Sequence, residues 1–246
     1  PFVRYINTFN FKVILNLYLD DFLILRFLRV CKFNIEKTKI RMRNYYKQRS
    51  DLPEWYMNKD PFQPELQELL NMGLVLPLRK LDSRGRLVFI IRATRIDPTI
   101  HELSDLIKIC VMLTELTMKN NAIASVYGLV VFFDLINPTM RHIAQFSPQM
   151  IMNIVHAWQS CYPVRMQSIN FINVPTIIDG FIRIMKSFMT KKMKNRFHVY
   201  SHMSQSCFKD VPADILPIEY GGTYDTIQEL TDYWKKLVEK NCDWIK

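Results

Sequence analysis

The chain contains the run Leu216-Pro217-Ile218-Glu219-Tyr220-Gly221-Gly222, which places two of its six glycines side by side. A glycine pair permits backbone angles that side chains forbid. Pro163-Val164-Arg165 and Asn173-Val174-Pro175 stand earlier, on either side of an alternating apolar run. Proline is suited to the first turn of a helix and asparagine to a hydrogen-bonded loop where a strand ends. These blocks predict a strand, a tight entry into a helix and, further along, a constrained loop.

The chain before Gly73 has a helical pattern. From residue 20 to residue 72 apolar side chains recur at spacings of three and four, and Asn34 is suited to cap the second helix. After Gly73 short β-rich runs alternate with longer helical ones, which is typical of an α/β fold with crossover helices. We therefore predict a helical domain at residues 1–75 and an α/β domain at residues 76–246.

Individual elements of the second region follow from the same patterns. The predicted strands span residues 74–78, 87–91, 126–133 and 165–172, and the predicted helices span residues 101–119 and 147–158, begin at residue 175, and span residues 223–240. Pro77 indicates an edge position for the first strand, because proline cannot donate to a sheet ladder. In the last strand, Ile169 and Phe171 should point to one face and Ile172 to the other.

Composition and motifs exclude several functions. The 246 residues are 49% hydrophobic and 23% charged, as in a compact globular protein. The glycines fit neither a phosphate-binding G-x-G-x-x-G loop nor a G-x-S-x-G nucleophile turn. The five cysteines contain no C-x-x-C pair and are interpreted as reduced thiols of a cytosolic protein. His198 and His202 are four residues apart, but no carboxylate or cysteine lies close enough in sequence to complete a recognisable metal site. Since no nucleophile motif is present either, we predict no metal site, no cofactor and no enzymatic activity.

The net charge of +10 favours a polyanionic partner, either nucleic acid or an acidic membrane face. No nucleic-acid reader motif is present, so nucleic acid is not predicted. Val13 to Leu19 is too short to span a bilayer. From Ile178 to Phe188 a bulky apolar stripe precedes clustered lysines, which is typical of a helix that sits on an anionic bilayer. The same pattern also fits a core-facing helix beside a solvated basic loop, and periodicity alone leaves both open.

Together, the P-x-R, N-x-P and L-P-x-E-Y-G-G blocks resemble the CRAL-TRIO lipid-binding family, in which they flank a mobile gate helix. Residues 20–33 resemble its N-terminal helical domain, whereas residues 1–19 do not match the usual start and are left unassigned. Within the family the chain is most similar to the α-tocopherol transfer proteins and the cellular retinaldehyde-binding proteins. The resemblance implies an all-helical N-terminal subdomain followed by a CRAL-TRIO α/β/α domain. That domain should have a mainly parallel sheet and an apolar cavity closed by the gate helix.

The resemblance also implies which side chains surround the ligand. Apolar walls suit an apolar guest, because an unpaired polar wall group would cost about 1 to 3 kcal/mol. The predicted lining residues are Ile91, Ile96, Leu103, Ile107, Leu129, Phe133, Ile154, Trp158, Val164, Ile169, Ile178, Phe181, Ile182 and Met185. Cys110 and Thr114 occupy the places of two serines that lie near the ligand hydroxyl in tocopherol-binding relatives. Val164 and Glu219 replace the glutamate and lysine that hold inositol phosphate in other members, which favours a neutral tocopherol, retinoid or carotenoid.

Basic residues after the gate match positions that contact phosphoinositide headgroups in relatives. The predicted membrane-binding residues are Arg165, Lys186, Lys192, Lys194 and Arg196. Cys31 replaces a further arginine of that patch, and Lys32 beside it is a candidate substitute. The resemblance therefore implies a monomeric, cytoplasmic, reversibly membrane-associated protein that transfers a hydrophobic lipid between membranes without catalysis. Two alternatives stay open, a lipid-sensing regulatory or interaction module and a phosphatidylinositol or phospholipid exchange protein.

Overall fold

A computed structural model describes residues 21–246 of the chain, so the stretch from Val13 to Leu19 lies outside the described residues. The first region is helical, as predicted. Its helices are α1 (Asp21–Val30), α2 (Ile35–Asp51), α3 (Pro53–Tyr56) and α4 (Pro64–Asn71). The Asn34 side chain accepts a hydrogen bond from the Lys37 backbone N–H at 3.0 Å, which confirms it as the cap of α2.

A five-stranded sheet organises the second region, with the strands in sequential order. The strands are β1 (Val75–Pro77), β2 (Leu87–Ile91), β3 (Leu129–Asp134), β4 (Met166–Ile172) and β5 (Phe197–Val199). β1 is antiparallel to β2 at one edge, and the other neighbours are parallel. The prediction of an edge strand at Pro77 and of a mainly parallel sheet is therefore confirmed.

The α-helices of the second region pack mainly on one face of the sheet, and all but the last two connect its parallel strands. They are α5 (Leu103–Asn120), α6 (Ala124–Tyr127), α7 (Met140–Ala144), α8 (Pro148–His156), α9 (Asp179–Ser187), α10 (Lys191–Lys194), α11 (Ile227–Lys240) and α12 (Cys242–Ile245). The hydrophobic cluster on this face includes Ile169 and Phe171. The opposite face, which includes Ile172, packs against Cys207 to Tyr220. The predicted division of β4 between two faces is thus confirmed.

Several predicted boundaries were wrong. The last long helix begins at Ile227 rather than at residue 223. Val126 and Tyr127 belong to helix α6 rather than to β3, because Gly128 turns the chain between them and the strand with φ 94°. A Cβ at that position would lie 2.5 Å from the Arg165 carbonyl oxygen, so the turn requires glycine. The helix predicted to reach Trp158 ends its α-helical part at His156 and continues as a π-helical turn, Ala157–Cys161.

Candidate functional site

An apolar cavity of about 190 Å³ lies between the sheet and helices α5, α8 and α9. The structure places every predicted lining residue on its wall except Ile169 and Ile182, and it also places Cys110 and Thr114 there. The wall therefore combines strands β2 and β3 with side chains from several helices. The structure thus brings most of the predicted lining residues together around one cavity, and their contact with a ligand stays a prediction.

Ile169 and Ile182 are buried in the adjoining hydrophobic core, at 0% and 6% exposure, rather than on the cavity wall. On the gate, Ile178, Phe181 and Met185 share one helical face and form the wall, and Ile182 lies beside that face. Alternation and periodicity identify buried positions, but they do not distinguish a cavity wall from solid core.

Helix α5 presents Ile107, Cys110 and Thr114 to the cavity at spacings of three and four. Each of these residues retains accessible surface. Burial nevertheless raises the pKa of the Cys110 thiol to about 12. The two observations agree if the accessible surface faces the cavity rather than bulk water. At neutral pH Cys110 is thus a protonated, weakly polar wall group.

Helix α3 of the first region also contributes to the wall, through Trp55 and Tyr56. Both are buried and pack with Val111 of α5. No sequence pattern indicated this contact beyond an aromatic pair in a short segment opened by Pro53. Further lining residues that were not predicted are Phe89, Ala93, Thr94, Leu106, Val111, Val131, Leu135, Pro138, His142, Ile143, Gln145, Phe146, Ala157, Tyr162, Met166 and Phe171.

The segment that closes the cavity begins with a 3₁₀ turn, Thr176–Ile178, and continues as α9. We call Thr176 to Ser187 the gate segment. Phe181 packs edge-to-face on Phe146 at 5.0 Å between ring centroids. Ile177 and Ile184 of the same segment are exposed, at 44% and 42%. The gate segment thus carries apolar side chains on both its cavity face and its outer face.

The gate segment is tied to the remainder of the fold at its entrance. Asn173, with φ 56°, accepts a hydrogen bond from the Met203 backbone N–H at 2.9 Å. Its amide nitrogen donates to Asp134 at the end of β3 at 2.7 Å. The Tyr220 hydroxyl donates to the other Asp134 oxygen, also at 2.7 Å. One buried carboxylate therefore connects the N-x-P and Y-G-G blocks.

A cation cluster lies beyond the gate segment. It consists of Lys192 and the four cations whose positive charges lower the pKa of Lys192, which are Lys32, Arg41, Arg165 and Arg196. Partial burial and these neighbouring charges lower the pKa of the Lys192 ammonium. Within the described part of the chain, none of the five forms an ion pair with a carboxylate.

Backbone carbonyls hold the guanidinium groups of this cluster in place. Arg165 donates to the carbonyl oxygens of Arg29 and Val30 at the end of α1, and Arg196 donates to that of Met166. Of the other predicted membrane contacts, Lys194 is exposed on α10, whereas the Lys186 ammonium lies 5.5 Å from the centre of the Phe197 ring. The structure therefore brings Arg165, Lys192 and Arg196 together, and adds Arg41 and Lys32.

The range of residues 21–246 contains no group of three or more histidine, cysteine, aspartate or glutamate side chains that could hold a metal ion. It also contains no helix that is both long enough and apolar enough to cross a bilayer. The cavity and the cation cluster are therefore the candidate functional sites of the described residues.

Two protein families match the sequence. The family described as "CRAL/TRIO domain" matches residues 71–222. The family described as "Pinta-like, UBA domain" matches residues 5–66.

Curated relatives match most of the chain. "Alpha-tocopherol transfer protein-like" of Mus musculus is 30% identical over 229 residues, covering 93% of this chain and 65% of the mouse protein. "Clavesin-2" of Rattus norvegicus is 25% identical over 203 residues, covering 82% of this chain and 62% of the rat protein. The chain thus spans less than two thirds of the length of these relatives.

A solved structure supports the architecture. The "Crystal structure of Sfh5" superposes with a TM-score of 0.58 at 15% identity, covering 93% of this chain and 85% of that chain. At this identity the likeness shows the fold alone.

Proposed function

The chain belongs to the CRAL/TRIO domain family, and we propose that it binds one small hydrophobic lipid and transfers it between membranes. The apolar cavity beneath the gate segment is the observation that carries this proposal. Ligand pockets of this kind are mostly apolar with a few placed polar groups. The proposed guest is a terpenoid of the tocopherol, retinoid or carotenoid type without an inositol phosphate headgroup, since Val164 and Glu219 do not provide the charges that hold an inositol phosphate.

The volume of the cavity determines whether a lipid can bind without movement of the cavity wall. A cavity of about 150 Å³ holds a benzene-sized guest, and the cavity here is about 190 Å³. Pockets that hold a drug-sized ligand measure about 300 to 1,000 Å³. A lipid of that size therefore requires the wall to move outward, and the gate segment is a wall element whose outer face is exposed. Uptake is thus coupled to opening of the gate segment.

Membrane docking through the cation cluster is the second part of the proposal. Each lysine or arginine near an anionic surface contributes about 1 kcal/mol of attraction. The cluster lies next to α10, which directly follows the gate segment in the chain. Docking would therefore place the gate segment, with its exposed Ile177 and Ile184, at the lipid interface.

Transfer between liposomes tests the proposed function directly. Donor vesicles carry a fluorescent tocopherol or retinoid and acceptor vesicles carry a quencher, and stopped-flow fluorescence gives the transfer rate. We expect the rate to increase in proportion to protein concentration. Lipid that co-purifies with the protein, identified by mass spectrometry, would name the guest. A protein that binds lipid but leaves the rate unchanged would instead be a lipid-sensing module.

Charge reversal tests the docking surface. We expect Lys192→Glu combined with Arg196→Glu to weaken binding to phosphoinositide-containing liposomes by at least tenfold, because about 1 kcal/mol per cation is lost and repulsion is added. Lipid uptake from detergent should stay the same. Lys236→Glu with Lys240→Glu, two exposed residues of α11, makes the same change in net charge and serves as the control. Equal liposome binding by both double variants would contradict this docking surface.

A further inference from the structure

One end of the cavity holds buried hydrogen-bond donors without acceptors. Trp55 lines the cavity with 2% exposure, and its indole N–H has no hydrogen-bond partner. Nη1 of Arg49, behind the same wall, is also buried and unpartnered. Unpaired buried donors are rare in native proteins and indicate a missing partner such as a ligand or water. We call Arg49, Trp55, Tyr56 and Tyr162 the donor end of the cavity.

The tyrosines connect Arg49 to the cavity. The Arg49 guanidinium carbon lies 4.4 Å from the Tyr56 ring centroid and 5.9 Å from that of Tyr162, and both rings line the cavity. The Tyr56 hydroxyl donates to Gln48 at 3.2 Å. Burial raises the pKa of Tyr56 to about 12, so this phenol remains protonated at neutral pH. The donor end therefore lacks a carboxylate or a phenolate that could accept from Trp55.

The charges behind the donor end do not cancel. Glu115 of α5 forms ion pairs with Arg49 and with Lys59, the latter at 2.8 Å. Two cations thus share one carboxylate, which leaves an excess of one positive charge in a partly buried site. Electrostatic attraction is stronger in such a site than in water. A negative or strongly polarised oxygen in the cavity would be attracted to it.

We infer that the lipid carries a terminal oxygen that accepts hydrogen bonds, a carboxylate or a carbonyl, and that this oxygen lies at the donor end against the Trp55 indole N–H. This inference rests on the proposed function. The hydrocarbon part of the lipid then lies along Ile107, Phe133 and Phe181. A carboxylate satisfies the unpaired donor and balances the excess charge, whereas a carbonyl satisfies the donor alone. A hydroxyl oxygen accepts more weakly and brings no charge, and a hydrocarbon leaves the donors unpaired.

Three lipids with one hydrocarbon skeleton test the inference. Phytanic acid, phytanol and phytane differ only in the terminal group, and each is delivered from cyclodextrin and titrated by calorimetry. With the unmodified protein we expect the acid to bind at least tenfold more tightly than phytane, with the alcohol between them. In Trp55→Phe, which keeps a ring but removes the N–H, the difference between acid and hydrocarbon should fall about fivefold. Trp244→Phe, at a tryptophan with 47% exposure, is the control and should match the parent.

The possible outcomes distinguish failure of this inference from failure of the proposed function. Equal affinity for the three lipids overturns the inference and leaves the proposed function intact, since water then satisfies the donor end. A preference for the acid that Trp55→Phe does not reduce also overturns it. If none of the lipids binds the parent and vesicle transfer is also absent, the proposed function fails as well. The comparison of the three lipids is made on the unmodified protein, so this part of the test does not depend on whether Trp55→Phe folds.

Discussion

At the scale of single residues, Asp134 explains why the separated sequence blocks occur together. Its carboxylate accepts from Asn173, at the entrance of the gate segment, and from Tyr220, within the Y-G-G block. Burial and the adjacent Asp134 charge raise the pKa of the Tyr220 phenol, so it stays a hydrogen-bond donor. Asp134, Asn173 and Tyr220 therefore form a structural brace for the gate segment, and none of the three lines the cavity.

Removing one donor from this brace should weaken the fold. We expect Tyr220→Phe to lower the free energy of unfolding by about 1 to 3 kcal/mol, because Asp134 stays buried with one fewer hydrogen bond. Urea denaturation measures the change. Tyr233→Phe removes the hydroxyl of a residue with 39% exposure and should change stability by less than about 0.5 kcal/mol. Equal stability of the two variants would show that the brace contributes nothing.

The two glycines of the block serve different purposes. Gly221 has φ 78° and ends a 3₁₀ turn in the left-handed region, so it is needed for its backbone angle. Gly222 is needed for space instead, because a Cβ there would lie 1.9 Å from the Leu216 carbonyl oxygen. The sequence predicted conformational freedom at both positions, and the structure shows that close packing accounts for the second.

At the scale of secondary structure, the π-helical turn Ala157–Cys161 connects the cavity, the gate segment and the cation cluster. Trp158 of this turn lines the cavity. The Gln159 amide donates to the Phe188 carbonyl at 3.2 Å and accepts from the Thr190 N–H at 3.1 Å, just beyond the gate segment. Arg41 donates to the Gln159 carbonyl at 3.1 Å. Such turns often occur at functional sites, and this one fixes the C-terminal end of the gate segment.

Loss of the Gln159 contacts should loosen that end. The variant Gln159→Met has a side chain of similar length that lacks the amide group. In this variant we expect the backbone N–H of Thr190 to exchange its hydrogen about tenfold faster, and we expect bound lipid to dissociate faster. Two hydrogen bonds contribute about 0.5 to 1.5 kcal/mol each. Hydrogen exchange by mass spectrometry measures the first effect. Gln149→Met, at an exposed glutamine of α8, should leave exchange at Thr190 unchanged. If the two variants exchange alike, Gln159 does not restrain the gate segment.

Most elements could be predicted because burial imposes a period on the sequence. The exceptions depend on contacts between distant residues. The π-helical turn is held by Arg41 and Asn44 of α2, which donate to the carbonyl oxygens of residues 159, 160 and 162. The place of Trp55 in the cavity wall depends on how α3 packs on α5. No local pattern contains either contact, so neither could be predicted from the sequence.

At the scale of the whole molecule, both predicted regions contribute residues to the cavity and to the cation cluster. The helical region supplies Trp55 to the cavity and Lys32 and Arg41 to the cation cluster, and the α/β region supplies the other parts of each. Arg49 of α2 also forms an ion pair with Glu115 of α5. A boundary near residue 75 marks a change of secondary structure, and the proposed function needs residues from both sides of it.

The separation between an apolar cavity and an external cation cluster predicts two different responses to salt. The net charge of +10 favours docking, and so do the cations of the cluster, which have no ion-pair partner among the described residues. Binding to anionic liposomes should therefore weaken more than tenfold between about 0.05 and 0.5 M NaCl, because screening shortens the range of attraction to about 4 Å. Binding of phytane in solution should be unchanged or slightly tighter, since burial of hydrocarbon involves no charge. Vesicle co-sedimentation and calorimetry measure the two quantities on one preparation. If both responded to salt equally, docking and lipid binding would have to share one site, contrary to the arrangement described above.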